Sequence, residues 1–193
     1  MVTSFARDTT RTVTRRELED KLKNVGDYVK LDLLSSALKK QLDFDTKKFV
    51  LLKLAVIYEE RKMFAEAAKM MRNAAEINTT YEAKMSDFMK SSTLFIKGGN
   101  FADGEVSFTK ALGCATDLQK ARLKTARKEA YKAQAKEYVI KDKRSNALVT
   151  YEKLLSLDLT PDEKREAQTS LLGLYEKLGK VKEFYALKAN MQL

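Results

Sequence analysis

The segment KFVLLKLAVIYEERKMFAEAAKMMRNAAEI, residues 48–77, decides the fold that this sequence predicts. Its apolar residues recur every three or four positions on both sides of a polar break at Arg61 and Lys62. This spacing is typical of two amphipathic helices joined by a tight turn, which together form a helical hairpin. A single hairpin cannot bury its apolar stripes alone, so we expect further copies along the chain for it to stack against.

Composition restricts the class of protein to which the chain can belong. Of its 193 residues, 44% are hydrophobic and 33% are charged, while one proline and seven glycines leave few helix breaks. These values favour a folded, helical chain. Histidine is absent and Cys114 is the only cysteine, so we expect a non-enzymatic protein with no cofactor and no metal site. No apolar run is long enough for a signal peptide or a membrane span, which predicts a cytoplasmic protein.

Local signals predict where the other helices begin. A threonine followed three residues later by Glu or Gln has the spacing of a capping box, in which the two side chains satisfy free backbone amides. The chain has this spacing at Thr14–Glu17, Thr79–Glu82, Thr116–Gln119 and Thr160–Glu163. Residues 43–46 are expected to separate the first hairpin from the central one. We predict a flexible basic arm over residues 1–13 and a single helical domain over residues 14–193.

The hairpins share an internal spacing. Tyr58, Phe95 and Tyr138 each precede a small residue, respectively Ala67, Gly104 and Ala147, by nine positions. An aromatic residue on one helix opposite a small residue on the next resembles the tetratricopeptide repeat. The corresponding anchors Leu22, Tyr58, Phe95, Tyr138 and Tyr175 are 36, 37, 43 and 37 residues apart, longer than the family's repeat of about 34. We therefore expect lengthened helices or loops.

The resemblance implies a fold and a mode of binding. The fold is an all-α, right-handed solenoid of about five antiparallel helix hairpins, in which the degenerate terminal repeats act as caps. Such arrays bind a peptide or helix of another protein in a concave groove lined by the first helix of each pair. Helical phase places six candidates there: Leu52, Lys53, Val56, Met89, Lys90 and Thr93, here called the groove stripe. Some family members clamp a terminal carboxylate, but the apolar Leu52 and Val56 at the corresponding positions disfavour that activity.

Positive charge is concentrated in one predicted helix. Residues 120–144 hold ten basic side chains and three acidic ones, which accounts for +7 of the chain's net charge of +10. Five of the basic residues form the predicted basic face: Lys120, Lys124, Arg127, Lys128 and Lys132. Leu123, Ala126, Ala130 and Ala133 are expected to pack inward. A lysine-rich face can be merely solvated, or it can bind an acidic protein or RNA.

Two functions follow from these features, and the sequence leaves both open. The first is an adaptor or scaffold that binds a partner segment in the groove. The alternative is an RNA- or ribonucleoprotein-binding protein that uses the basic helix over residues 118–144. A third, weaker possibility is a subunit of a larger helical assembly, since the sequence does not specify the oligomeric state.

Overall fold

The structure, a computed structural model, describes residues 13–191, which form α-helices joined by short turns and contain no strand. The helices of this range are α1 Arg15–Leu22, α2 Asp27–Leu38, α3 Phe44–Glu60, α4 Phe64–Ile77, α5 Tyr81–Lys97, α6 Phe101–Gly113, α7 Asp117–Ile140, α8 Arg144–Leu155, α9 Pro161–Lys177 and α10 Val181–Met191. The predicted all-α class is confirmed for these residues. The predicted arm over residues 1–13 lies outside them except for Val13, which packs against the first buried cluster.

Threonine side chains cap the helices near the predicted positions. Capping boxes form at Thr14, Thr116 and Thr160, as expected. The prediction at Thr79 was wrong by one residue, because Thr80 caps α5 and its hydroxyl accepts a hydrogen bond from the Ala83 backbone N–H at 3.3 Å. Glu82 is therefore a first-turn residue and not the capping partner, although its negative charge there still complements the helix dipole.

Helix α3 begins earlier than the sequence predicted. Residues 43–46 were expected to be a separator, but Asp43 is the N-cap of α3. One carboxylate oxygen of Asp43 accepts the Thr46 backbone N–H at 2.9 Å, and the other accepts the Thr46 hydroxyl at 2.6 Å. These hydrogen bonds hold the pKa of Asp43 below its ordinary value. The cap brings Thr46 into the first turn of the helix, where its side chain is buried.

The first helix of every hairpin is followed by a residue in the left-handed backbone region. These residues are Asn24, Lys62, Gly99, Asp142 and Gly179, with φ between 51° and 77°. In the last four hairpins, the residue that follows this left-handed residue donates its backbone N–H to a carbonyl in the last turn of the first helix. The accepting carbonyls are those of Tyr58, Phe95, Tyr138 and Tyr175. This is the Schellman motif, which satisfies a carbonyl left free at a helix end. Each aromatic anchor is thus the third residue from the end of its helix, which explains why the anchors recur.

The second helices also begin in the same way. The N-caps Met63, Asn100 and Lys143 all have φ between −87° and −85° and ψ of 64° or 65°. The small residues Ala67, Gly104 and Ala147, which follow the aromatic anchors by nine positions, each lie four residues after one of these caps. At Gly104, an added Cβ would lie 3.4 Å from the Ser92 carbonyl oxygen. The two helices of this hairpin approach closely because that position has no side chain.

Helices pack mainly on their neighbours in the chain, with additional contacts between α1 and α3 and between α5 and α7. Four buried clusters overlap along this series. They join α1–α3, then α3–α5, then α4–α7, and finally α7–α10 together with the end of α5. This arrangement is compatible with a repeat array. Its winding as a right-handed solenoid stays a prediction.

Helix α7 accounts for the longest interval between anchors. It has 24 residues, whereas α3, α5 and α9 have 17 each. Because the anchors align the helices at their C-terminal ends, the extra residues, 117–123, lie at the N-terminal end of α7. The predicted lengthening is thus confirmed and located at one helix terminus.

Candidate functional site

The groove stripe begins on α3 with three residues of different exposure. Val56 is 44% exposed, and Lys53 is also exposed. The Lys53 ammonium lies 5.9 Å from the centre of the Phe49 ring, within the range of a weak cation–π contact. Leu52 is half-buried and packs against the cluster shared by α3, α4 and α5. This part of the stripe therefore offers a partner an apolar and a cationic side chain.

The stripe continues on α5. Met89 is half-buried against the cluster that contains Phe88 and Phe108. The Thr93 hydroxyl donates to the Met89 carbonyl at 3.1 Å, and therefore its hydrogen is already engaged within the helix. Lys90 is exposed, with its ammonium 3.7 Å from a carboxylate oxygen of Glu59 on α3. The exposed side chain of Lys90 on α5 therefore lies beside the end of α3.

Glu59 connects the two halves of the stripe, and sequence reasoning did not identify it. Its carboxylate also lies 3.4 Å from the ammonium of Lys97. The two ion pairs are 31 and 38 residues apart in sequence, so no local pattern could have indicated them. Surface pairs of this kind contribute about 0.2–1 kcal/mol each. Their importance here is positional, because they show that the exposed faces of α3 and α5 adjoin.

The predicted basic face divides into two groups. Lys120 pairs with Asp117 one turn earlier, at 2.9 Å. Lys124 is exposed and makes no ion pair with any residue between 13 and 191. The nearby Arg122 is likewise exposed and unpaired over that range. These three cations lie at or next to the N-terminal extension of α7, where solvent reaches them.

Arg127 lies among buried groups. Its guanidinium is 4.1 Å from the centre of the Phe108 ring, and one of its nitrogens is 2.6 Å from a Glu105 carboxylate oxygen. The Tyr131 hydroxyl donates to the other oxygen of Glu105 at 2.9 Å. Burial, followed by the Glu105 charge, raises the pKa of Tyr131 well above its ordinary value of 10.0. Tyr131 therefore remains a neutral donor at physiological pH.

The other two cations of the basic face bind α9. Lys128 lies 2.7 Å from Glu163, and Lys132 lies 2.6 Å from Glu166. Glu166 also pairs with Lys136, at 3.0 Å. Hydrogen bonds from Lys128 and from Lys132 hold the pKa of Glu163 and of Glu166, respectively, below the ordinary 4.5. Arg127, Lys128 and Lys132 thus join α7 to its neighbouring helices.

The orientation of α7 corrects one part of the sequence analysis. Ala126 and Ala133 were predicted to pack inward, but both are exposed. Leu123 is buried, as predicted, and Tyr131, Ala135 and Tyr138 continue its buried face. Aromatic rings remove much more apolar area from water than alanine methyl groups do. The tyrosines therefore determine which side of the helix faces inward.

The described residues also bear on metal binding and membrane insertion. Between residues 13 and 191, no group of three or more His, Cys, Asp or Glu side chains is arranged to hold a metal ion. Cys114 is half-buried at the end of α6. None of the helices in this range combines the length and apolar character that a bilayer span requires.

Comparison with known proteins identifies no family. No family model matches the chain, and no curated protein matches it. Among solved structures, the crystal structure of BtubC (BKLC) from P. vanneervenii is similar with a TM-score of 0.38 and 17% identity, covering 91% of this chain and 78% of that one. A TM-score this low describes a distant likeness, so neither the fold nor the function of this chain rests on it. The tetratricopeptide resemblance stays a prediction.

Proposed function

We propose that the chain is a non-enzymatic adaptor that binds a peptide or helix of another protein along the groove stripe. The observation that carries the proposal is the contact of Glu59 with Lys90, which sets the exposed faces of α3 and α5 side by side. Val56 supplies exposed apolar surface there, and lysines flank it. A mixed apolar and cationic face suits an amphipathic segment that carries some acidic residues.

The ion pairs of α7 favour this proposal over RNA binding. A cation already paired with a carboxylate contributes little to the neutralisation of phosphates, which drives RNA binding. Three of the five basic-face residues are paired across helices. Lys120 is half-buried and paired with Asp117, and Lys143, which is exposed and unpaired among the described residues, lies at the far end of the basic helix. Near the start of α7, the cations that remain exposed and unpaired are Arg122 and Lys124. They form a small patch that an acidic partner protein can also contact.

The adaptor proposal is tested by a matched pair of substitutions. Val56→Glu places a charge in the stripe, whereas Val149→Glu places the same charge on α8 at an equal exposure of 44%. Partners captured from the native lysate by the wild-type chain are identified by mass spectrometry, and binding is repeated with each purified variant. We expect Val56→Glu to weaken partner binding at least about tenfold and Val149→Glu to leave it unchanged. Circular dichroism checks that both variants fold.

A second arm tests the nucleic-acid alternative. Arg122→Glu with Lys124→Glu removes exposed cations without breaking an ion pair between described residues. If capture is lost after nuclease treatment, the adaptor proposal is wrong and RNA binding replaces it. If capture survives nuclease but falls in this variant and not in Val56→Glu, an acidic protein binds the basic patch, and binding along the groove stripe is contradicted. A partner that survives nuclease and depends on Val56 supports the adaptor.

A further inference from the structure

A cleft of about 390 Å³ lies where the turns of the central hairpins meet, and none of its lining residues belongs to the groove stripe or the basic face. It is lined by the α3–α4 turn, the end of α5 and the C-terminal part of α7. At a rise of about 1.5 Å per residue, Lys141 in this cleft is about 25 Å from Lys124 along α7. The cleft is therefore a separate site from those discussed above.

The first turn of α4 opens into this cleft. Met63, the N-cap, has no side-chain capping hydrogen bond, and Phe64, Ala65 and Glu66 follow it along the cleft wall. The backbone N–H groups of a first turn have no acceptor within the helix, and they carry the positive end of its dipole. Across from them, a Cβ on Gly98 would come within 3.5 Å of the Ala65 nitrogen. Gly98 thus packs closely on the first turn of α4, where an added side chain would also crowd Phe64, at 3.3 Å from its Cβ.

Four lysines surround the same space. Lys62, Lys97, Lys141 and Lys143 line the cleft together with two carboxylates, Glu66 and Glu137. Lys141 pairs with Glu137, and Lys97 pairs with Glu59 outside the cleft. Lys62 and Lys143 make no ion pair within residues 13–191. The ionised side chains that line the cleft thus leave a net positive charge, with two lysines available to a ligand.

Gln134 is an independent indication that a ligand belongs here. Its side chain lines the cleft but is only 4% exposed. Its amide makes no hydrogen bond with any residue that the structure describes, and neither amide atom is among the side-chain atoms sealed from solvent without a partner. The amide therefore reaches the solvent of the cleft, where its donor and acceptor are available to a ligand. A ligand in the cleft would provide the hydrogen bond that the amide lacks.

We infer that the cleft binds a phosphate-bearing small molecule. The phosphate oxygens accept hydrogen bonds from the free amides of the α4 first turn and pair with Lys62 and Lys143. The Gln134 amide donates to a further oxygen of the ligand. Helix N-termini and lysines are common phosphate-binding elements. This binding is independent of the adaptor function, because it uses other residues.

Titration with pyrophosphate at low ionic strength, followed by calorimetry, tests this inference. The full chain is expected to bind pyrophosphate saturably at one site. Lys62→Glu with Lys143→Glu should weaken binding at least about tenfold, since two charge-assisted contacts become repulsive. The control, Lys69→Glu with Lys153→Glu, makes the same change of net charge at exposed positions on α4 and α8 outside the cleft. Absence of saturable binding, or an equal loss in the control, overturns the inference.

Two further measurements test the chemistry of the site. Gln134→Met keeps the side-chain length and removes the amide, so we expect weaker pyrophosphate binding with little change in the unfolding midpoint. Unchanged affinity would remove Gln134 from the site. Citrate, which has carboxylates instead of phosphates, is expected to bind more weakly than pyrophosphate. Equal binding of citrate would overturn the assignment to a phosphate-bearing ligand.

Discussion

At the scale of single residues, Arg127 shows how a charged side chain becomes part of the interior. Its guanidinium packs on Phe108 and pairs with Glu105, while its Nε atom is buried without a hydrogen-bond partner in the described residues. Long arginine side chains stabilise a fold through their apolar stem as well as their charge. Removal of Arg127 also leaves Glu105 with less compensation for its partial burial.

Arg127→Ala is therefore expected to lower the free energy of unfolding by about 2–4 kcal/mol. Lys124→Ala, three residues earlier on the same helix, removes an exposed and unpaired cation. It should change the free energy of unfolding by less than about 0.5 kcal/mol. Urea unfolding at neutral pH measures both values. Equally small effects would show that Arg127 behaves as an ordinary surface charge.

At the scale of the helix, α7 is held between α6 and α9 by charged side chains. The pairs run from Arg127 to Glu105 on α6, and from Lys128 and Lys132 to Glu163 and Glu166 on α9. Lysines one turn apart on α7 repel each other, and the glutamates of α9 offset this repulsion. The charge excess of α7 thus has a structural role on the side that faces its neighbours.

The lowered pKa values of Glu163 and Glu166 predict how the α7–α9 contact responds to pH. Both carboxylates titrate below 4.5 in the folded chain. Their stabilisation is therefore complete above the unfolded pKa and disappears as pH falls through the folded pKa. We expect the double variant Glu163→Gln with Glu166→Gln to lose less stability than the wild type between pH 6 and pH 3.5. The difference should be about 0.5–2 kcal/mol, because these pairs are partly exposed.

The same unfolding measurement includes a control. Glutamine at position 163 can still complete the capping box of α9, so this substitution removes the charge and retains the cap. Glu60→Gln with Glu176→Gln removes two exposed carboxylates that make no ion pair within residues 13–191. This control should keep the wild-type pH dependence. A pH dependence identical in all three proteins would contradict the proposed role of the α7–α9 pairs.

At the scale of the whole molecule, burial is concentrated in the central hairpins and is lowest at the ends. Helix α10 has no fully buried residue, and α1 has one, Leu18. The centre has a continuous set, including Ala67, Ala68 and Phe95, that joins α3, α4 and α5. In linear arrays each unit is stabilised mainly by its neighbours, so an end unit with one neighbour is the least stable.

Amide hydrogen exchange is expected to follow this gradient. Backbone amides of α1 and α10 should exchange fastest among the helices, and those of α4 and α5 slowest, because opening the centre exposes the most apolar surface. Mass spectrometry of peptides after timed labelling measures this order. Uniform protection from α1 to α10 would show that the chain unfolds as one cooperative unit. Size-exclusion chromatography with light scattering at the labelling concentration would separate end-to-end self-association from intrinsic stability.

By itself the sequence determined the helices, most of their ends and the aromatic spacing of the hairpins. The physical reason is that these features depend on residues close together in the chain. Thr160 caps α9 by accepting a hydrogen bond from the backbone N–H of Glu163, three residues later. The turn after Tyr58 is closed by a backbone hydrogen bond to its carbonyl from a residue five positions later. Local propensity and hydrogen bonding are sufficient to predict such contacts.

Only the tertiary structure decided which charges are free and that Ala126 and Ala133 face outward. Arg127 meets a carboxylate 22 residues earlier, and Lys128 meets one 35 residues later. Glu59 joins α3 to α5 in the same way, and the cleft around Gln134 is formed by three separate helix ends. These residues become neighbours only after the helices pack, and packing follows the total apolar area buried by the whole chain. A local pattern carries no information about that sum, which is why the sequence alone placed all five basic residues on one exposed face.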